Sequence, residues 1–108
     1  PILQFLGYVS DGEARTLMRD CAAFLFPSIC EGFGMPPLEA LSAGAPALAV
    51  SDIPVMHEIF GDAATYIDPV SAPNDLQCRA VEPEERAEIL GRYSWRRSAE
   101  IIRQTCLR

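Results

Sequence analysis

Apolar and polar residues alternate along this chain in blocks whose lengths predict strands and helices in turn. Apolar runs of strand length lie at residues 2–8, 22–26, 46–50 and 64–67. Segments with helical spacing of apolar residues follow these runs, and the loops between the elements are short. Alternating strands and helices joined in this way predict an α/β domain, with a Rossmann-like parallel sheet and helices on both faces.

Several predicted helix ends carry residues that favour those positions. Ser10 and Glu13 have the spacing of a capping box before the first helix. Pro36 and Pro37 lack an amide proton and have a fixed φ, so they fit only the first positions of a second helix. Gly44 is predicted to end that helix, because glycine adopts the left-handed conformation without steric cost. The second helix therefore begins soon after the second predicted strand.

The pattern weakens in the last third of the chain. We therefore predict one partial domain over residues 1–108, with core strand–helix units at about 1–69 and C-terminal helices at 70–108. A loop is predicted at residues 71–75, and a helical turn is predicted at residues 76–81. A helix is predicted at residues 83–90, with acidic residues favourably placed near its start.

The last predicted helix begins after Ser94, which can cap it. Four residues share one of its faces: Trp95, Ala99, Ile102 and Cys106. This periodicity predicts that Trp95 packs the helix against the rest of the domain.

Composition excludes some classes of partner. The chain has 108 residues, a net charge of −6 and no basic run, which argues against nucleic acid as a partner. No apolar run approaches the length of a membrane span. The four cysteines lack metal-binding spacing and lie in mostly apolar surroundings, so they are predicted to be reduced core thiols of a cytosolic protein. Oligomeric state is not readable from these features.

The segment with the most chemistry runs from Glu31 to Glu39, between the second predicted strand and the second helix. Two carboxylates flank the loop residues Gly32, Phe33, Gly34 and Met35. Glycines allow a close backbone approach, and a helix start favours phosphate, so this loop could bind an anionic sugar ligand. Either acid could accept hydrogen bonds from sugar hydroxyls. The alternative from spacing alone is that both acids are solvated and the glycines mark an ordinary loop.

Further candidates are weaker on the sequence alone. Ser28 and Ser51 follow apolar strands and could face a cleft, although serines in such places are often turn residues. Glu58 lies on the short helix after the third strand, where a surface acid is equally expected. His57 has no visible catalytic or metal partner in the sequence, so it is interpreted as structural or exposed.

Several segments, at the right spacing, resemble the retaining GT-B glycosyltransferases of the glycosyltransferase 4 family. The matching residues are Phe5-Leu6-Gly7-Tyr8-Val9, Phe26-Pro27-Ser28, Glu31-Gly32-Phe33-Gly34, Pro37-Leu38-Glu39-Ala40, Gly44-Ala45-Pro46 and Tyr93-Ser94-Trp95. The Glu-x7-Glu motif of that family is intact as Glu31 and Glu39. Glu58 also resembles a recurring acid of the family.

The resemblance implies transfer of a sugar from a nucleoside diphosphate sugar, with retention and without a metal or other cofactor. It implies that Glu31 lies beside the donor sugar as the catalytic carboxylate, either stabilising positive charge on the sugar or acting as a nucleophile, and that Glu39 bonds the ribose hydroxyls. The amides of Phe33, Gly34 and Met35 resemble those that contact sugar and phosphate. The Gly-Phe-Gly-Met-Pro-Pro-Leu-Glu version of the motif leans towards mannosyl donors in polysaccharide biosynthesis.

The chain also departs from the family pattern. It lacks the N-terminal domain through which a sugar or glycolipid acceptor would bind, and the basic pair that clamps the diphosphate. No Lys occurs in the chain, and no Arg lies near the motif in the sequence. The chain alone is therefore expected to be a partial, inactive donor site of a cytoplasmic enzyme, which could be peripheral to the inner membrane face. The alternatives are a GT-B-fold sugar-nucleotide epimerase and a non-catalytic sugar-nucleotide-binding domain.

Overall fold

The computed structural model of the chain describes residues 3–71 and 75–106. Its elements, in chain order, are α1 (Asp11–Asp20), β1 (Phe24–Phe26), α2 (Met35–Ala43), β2 (Leu48–Ser51), α3 (Pro54–Phe60), a 3-10 turn (Gly61–Ala63), β3 (Thr65–Ile67), α4 (Pro83–Arg92) and α5 (Trp95–Cys106). The three strands form a parallel sheet in the order β1-β2-β3. The predicted fold class, an α/β domain with a Rossmann-like parallel sheet, is confirmed.

The central strand β2 is buried along its whole length. Leu48 and Val50 point into the main core, where they join apolar side chains of the helices, including Leu38, Leu41, Met56, Ile59, Phe60 and Ile89. Side chains alternate along a strand, so Ala49 and Ser51 lie on the opposite face, and both are also fully buried. A central strand that is buried on both faces accounts for the nearly continuous apolar run at this point of the sequence.

The first predicted strand is wrong over residues 3–8, and residue 2 lies outside the described residues. Residues 3–8 are irregular and exposed, with Phe5 exposed to 89% and Tyr8 to 96%. A strand requires a hydrogen-bonded neighbour, and no described segment pairs with this one. The described residues therefore contain three strands rather than four.

Helix ends follow the predicted chemistry closely. The Ser10 hydroxyl accepts a hydrogen bond from the Glu13 amide at 3.2 Å and so caps α1. Helix α2 begins at Met35 and contains both prolines in its first turn. Gly44 ends it with φ of 108°, in the left-handed region.

The segment before α4 differs from the prediction. Residues 76–81 form no helical turn; instead Ala80 forms an antiparallel bridge with Ala47, and the Val81 amide donates to the Pro46 carbonyl at 2.9 Å. Val81 is buried against the core. Burial of this apolar residue beside β2 favours an extended backbone over a local turn. The predicted loop at residues 71–75 lies partly outside the described residues.

Helix α4 is tied to α2 by Arg86. Its guanidinium donates to the Leu41 carbonyl at 2.5 Å and to the Ala45 carbonyl at 2.7 Å. Carbonyls at the end of a helix lack partners within that helix and attract a cation. Arg86 therefore completes the end of α2, a contact that the sequence pattern did not indicate.

Helix α5 is capped as predicted, since the Ser94 hydroxyl accepts from the Arg97 amide at 3.2 Å. None of its residues is buried, and Trp95 is exposed to 86%. The prediction that Trp95 packs the helix against the domain is therefore wrong. The helix is amphipathic, but its apolar face meets too little of the described chain to be covered.

The four cysteines differ in their exposure. All four cysteines are free; Cys21 and Cys78 are half-buried, while Cys30 and Cys106 are exposed, so the prediction of core thiols is wrong for the latter two.

Among the helices of residues 3–71 and 75–106, none has the length and apolar character to cross a membrane.

Candidate functional site

The loop between β1 and α2 lies at the carboxyl end of the sheet, the edge where parallel α/β domains bind ligands. Glu31 is half-buried there. The Ser28 hydroxyl lies 3.1 Å from Glu31 Oε2 and 3.0 Å from the Cys30 carbonyl oxygen, with both oxygens placed to accept from it. Two predicted site residues, Ser28 and Glu31, are thus in contact. Ser28 orients the carboxylate and leaves its other lone pairs open to a ligand hydroxyl.

Gly34 fixes the start of α2. It has φ of 97° as the N-terminal cap of that helix and is buried. A Cβ at this position would lie 2.7 Å from Met56 Cε and 3.3 Å from Met56 Sδ, on α3. Only glycine combines this backbone conformation with so close an approach. The loop therefore packs directly against side chains of α3.

The supply of amide donors at this helix start is smaller than that of an ordinary helix. A helix usually presents several unpaired N–H groups at its first turn, but Pro36 and Pro37 have none. Within the described residues, the amides of Gly32, Phe33, Gly34 and Met35 donate no hydrogen bond to another residue. Donors for a bound anion would therefore come from the loop and Met35 rather than from the body of α2.

Glu39 is exposed on α2 and lines a cavity of about 570 Å³ between α2 and the chain at the junction of α4 and α5. We call this the α2–α5 cavity. Phe33, Met35 and Glu39 line one side of it, and Arg92, Tyr93 and Trp95 line the other. Glu31 is not among its lining residues. The structure thus brings Glu39 together with the loop residues Phe33 and Met35, and it keeps Glu31 beside Ser28.

Arg92 is a cavity residue that sequence reasoning missed. No Arg lies near the motif in the sequence, but the fold brings Arg92 to the cavity that Glu39 lines. Its guanidinium carbon lies 5.6 Å from the centre of the Tyr93 ring, and its Nη2 donates to the Ile59 carbonyl at 3.4 Å. The available signal was indirect: Arg92 ends a helix directly before the Tyr93-Ser94-Trp95 segment.

Ser51 and Glu58 lie in contrasting surroundings. Ser51 is fully buried, and its hydroxyl donates to the Phe26 carbonyl at 3.5 Å. This hydrogen bond links the carboxyl ends of β1 and β2, so the buried hydroxyl is not accessible to a ligand in this conformation. Glu58 is exposed on α3, the surface position that was the alternative for it.

His57 has a carboxylate partner that the sequence did not reveal. Its Nε2 lies 2.5 Å from Asp52 Oδ1, and its ring stacks on Tyr66 with the centres 3.7 Å apart. The Tyr66 hydroxyl donates to the Gly61 carbonyl at 2.6 Å. Burial, and then the charges of Asp62 and Asp52, raise the pKa of Tyr66 to about 12. This cluster joins α3 to β2 and β3, while the imidazole itself is half exposed.

Metal binding has no candidate in the described part of the chain. There, no three or more His, Cys, Asp or Glu side chains come together as a metal site would require. Independence from metal ions stays a prediction.

The sheet, the loop at its carboxyl edge and the adjoining cavity define a Rossmann-like α/β domain with a candidate site for an elongated polar ligand. The chain belongs to the family of glycosyl transferases group 1, whose sequence model matches residues 2–103.

Several curated relatives carry mannosyltransferase names. The chain is 46% identical over 65 residues to the O-antigen chain mannosyltransferase RfbU of Salmonella typhimurium, covering 60% of this chain and 18% of that protein. It is 40% identical over 75 residues to the serotype-specific mannosyltransferase WbdA of Escherichia coli, covering 69% of this chain and 9% of the relative.

A more distant relative is the mannosylfructose-phosphate synthase of Agrobacterium fabrum. It is 30% identical over 91 residues, which cover 83% of this chain and 20% of that protein. The chain therefore spans a fifth or less of the length of these three relatives. No solved structure gave a significant match.

Proposed function

We propose that the full-length protein containing this chain is a retaining GT-B glycosyltransferase of the glycosyltransferase 4 family. It transfers a mannosyl residue from a nucleoside diphosphate mannose to a glycan or glycolipid acceptor in polysaccharide biosynthesis. The family membership and the mannosyltransferase names of two relatives support this proposal. The observation that carries it is the pair of acids, Glu31 on the loop and Glu39 on α2, around a helix start at the carboxyl edge of the sheet.

In this proposal Glu31 is the catalytic residue. The bond between the anomeric carbon and the phosphate oxygen breaks, and the acceptor oxygen bonds to the same face of that carbon. The proton of the acceptor hydroxyl passes to the departing diphosphate. Glu31, held by Ser28, stabilises the positive charge that develops on the sugar. This front-face route accounts for retention without a covalent intermediate on the enzyme.

The remaining loop residues bind the donor. The amides from Gly32 to Met35, free of other partners within the described chain, donate to the sugar hydroxyls and to the departing diphosphate. Glu39 accepts hydrogen bonds from the ribose hydroxyls, as its position in the α2–α5 cavity allows. Stabilisation of the leaving group rests on these donors, so the reaction needs neither a metal ion nor another cofactor.

The acceptor is expected to bind through a second domain of the full-length protein, and the chain alone is a partial donor site. The proposed location is the cytoplasm, with peripheral attachment to the inner membrane face if the acceptor is a glycolipid. The transferase and synthase names of the relatives disfavour the epimerase alternative.

The test is a transfer assay of the full-length protein against a panel of nucleoside diphosphate sugars. Replacing Glu31 with Gln is expected to lower kcat by about 100-fold or more, because the charge that matters in the transition state is lost. Replacing Glu39 with Gln is expected to raise the donor KM by about tenfold with a smaller change in kcat. Glu88→Gln, an exposed acid of α4, is the matched control.

The outcomes are distinct. Transfer from a mannosyl donor with retained anomeric configuration supports the proposal. Wild-type kinetics in a folded Glu31→Gln protein would refute the assignment of the catalytic residue. Epimerisation of the donor in the absence of an acceptor would show that the protein is an epimerase rather than a transferase.

A further inference from the structure

The second half of the loop between β1 and α2 rests on side chains from two directions. Gly34 packs against Met56 of α3. From the other direction, the Phe33 ring meets the ring of Tyr93 edge to face, with the ring centres 5.4 Å apart and the ring planes at 71°. We propose that Tyr93 is a positioning residue for the transfer reaction, which holds the donor-binding loop in place through Phe33. The inference rests on the proposed function, because it takes the amides of residues 32–35 as donor-binding groups.

This half of the loop has less backbone support than the first half. The Ser28 hydroxyl holds the first half through Glu31 and the Cys30 carbonyl. Within the described residues, the amides of residues 32–35 donate no hydrogen bond to another residue, and a Cβ at Gly32 would meet nothing within 4 Å. A segment without such hydrogen bonds depends on side-chain packing for a fixed conformation. The position of these amides therefore depends on the side chains packed around them.

Tyr93 is itself fixed by contacts with two helices. Its amide donates to the Ile89 carbonyl at 3.2 Å, at the end of α4, and its side chain packs against the main core. The Arg92 guanidinium carbon lies 5.6 Å from the centre of the Tyr93 ring, and Arg92 Nη2 donates to the Ile59 carbonyl of α3 at 3.4 Å. The ring is thus tied to α3, the helix that also supports the other side of the loop. A side chain locked in this way can hold a binding loop in place.

Phe33 is the side chain through which this support reaches the loop. It is exposed to 40% and lies outside the main core cluster of the described residues. Because edge-to-face pairs have a preferred geometry, the contact with Tyr93 fixes the direction of the Phe33 ring as well as its distance. Restricting the ring restricts the backbone of Phe33 and hence the direction of the neighbouring N–H groups. Hydrogen bonds weaken steeply with angle, so rotation of these groups would reduce their stabilisation of the departing diphosphate.

The test is steady-state transfer by the full-length protein with a nucleoside diphosphate mannose as donor. Tyr93→Leu is expected to lower kcat by about three- to tenfold, the effect of losing an aromatic pair, with a smaller change in donor KM. The reason for this split is that charge on the diphosphate grows in the transition state, where aligned amides matter most. Phe33→Leu should have the same effect. Combining both changes should cost no more than either alone, because each removes the same contact.

Two variants control for the loss of an aromatic side chain. Tyr93→Phe keeps the ring and should therefore recover most of the kcat that Tyr93→Leu loses. Tyr8→Leu replaces a tyrosine that is exposed to 96%, and it should leave both kinetic constants unchanged.

The outcomes separate the role of Tyr93 from the transferase activity. Sugar transfer with wild-type kcat in Tyr93→Leu, or additive losses in the double variant, would overturn the positioning role and leave the proposed function standing. A kcat that returns to wild type after correction for the folded fraction would overturn it as well, because the contact would then serve stability alone.

Hydrogen exchange tests the contact if the full-length protein transfers no sugar from any nucleoside diphosphate donor, a result that would refute the proposed function. Faster exchange of the amides at residues 32–35 in both Tyr93→Leu and Phe33→Leu would still support the role of Tyr93 in holding the loop. Exchange as slow as in wild type would overturn it.

Discussion

At the scale of single residues, Gly34 connects the backbone of the candidate site to the packing of the domain. Its positive φ lets the loop turn into α2, and its missing side chain leaves room for Met56. The same residue therefore controls where the amides around it point and how α2 sits on α3. The sequence indicated a loop glycine that allows a close backbone approach to a ligand, whereas the structure shows a buried contact with Met56. Sequence spacing could not reveal this contact, because Met56 lies on another helix.

We predict that Gly34→Ala destabilises the full-length protein by about 1–3 kcal/mol. The added Cβ would lie 2.7 Å from Met56 Cε, and alanine is strained at φ of 97°. The measurement is unfolding by denaturant, together with the donor KM, which should rise as the loop shifts. Combining Gly34→Ala with Met56→Ala should remove the clash but not the backbone strain, so recovery should be partial.

Gly91→Ala is the control for this prediction. Gly91 lies within α4 and a Cβ there meets nothing within 4 Å. This change should stabilise the protein by about 0.5–1 kcal/mol, because alanine loses less backbone entropy on folding. A Gly34→Ala protein as stable as wild type would show that the contact with Met56 relaxes freely.

At the scale of elements, the sequence could predict the features that depend on interactions between residues close together in the chain. The start of α1 at Ser10 and the end of α2 at Gly44 were predictable, since caps depend on residues three or four apart. The buried strand β2 was also predictable, from its continuous apolar run. Residues 3–8 have the same apolar character but form no strand, because a strand exists only with a partner.

Contacts between elements were the part that sequence could not supply. The extended segment at residues 76–81 is set by its bridge to Ala47 and the burial of Val81, both distant in sequence. The residues of the candidate site show the same difference between local and distant contacts. Ser28 and Glu31, three residues apart, were each named as candidates from the sequence, whereas Arg92 reaches the cavity only through the packing of α4.

Arg86 offers a test of how strongly such a contact between elements stabilises the fold. We predict that Arg86→Ala destabilises the full-length protein by about 1.5–3 kcal/mol, the usual contribution of hydrogen bonds to a charged group. The change leaves the carbonyls of Leu41 and Ala45 without the partners they have at 2.5 and 2.7 Å. Denaturant unfolding measures the loss, and amide exchange near the end of α2 should rise most. Arg15→Ala, an exposed position on α1, should change stability by less than about 0.5 kcal/mol.

Arg86→Lys refines the same test. Lysine keeps the charge near the end of α2 but cannot span two carbonyls with a planar fork, so it should recover part of the stability. Full recovery by Lys would mean that charge alone matters, and no loss in Arg86→Ala would refute the capping role.

At the scale of the whole molecule, the chain has few of the positive charges that the diphosphate of the proposed donor requires. It has no Lys, and among the cavity residues of the described part only Arg92 is cationic. Its matches span a fifth or less of the three relatives described. In the proposed function, binding energy for the donor and the acceptor is therefore expected to come largely from other parts of the full-length protein.

We therefore predict that the isolated chain of 108 residues gives no detectable transfer and binds nucleoside diphosphates at least about 100-fold more weakly than the full-length protein. The physical reason is that one guanidinium and a few amides replace only part of the hydration of a diphosphate. The measurement pairs calorimetry with the transfer assay on both proteins, after circular dichroism has shown that the isolated chain is folded. Tight binding or transfer by the isolated chain would show instead that residues 1–108 form a complete donor site.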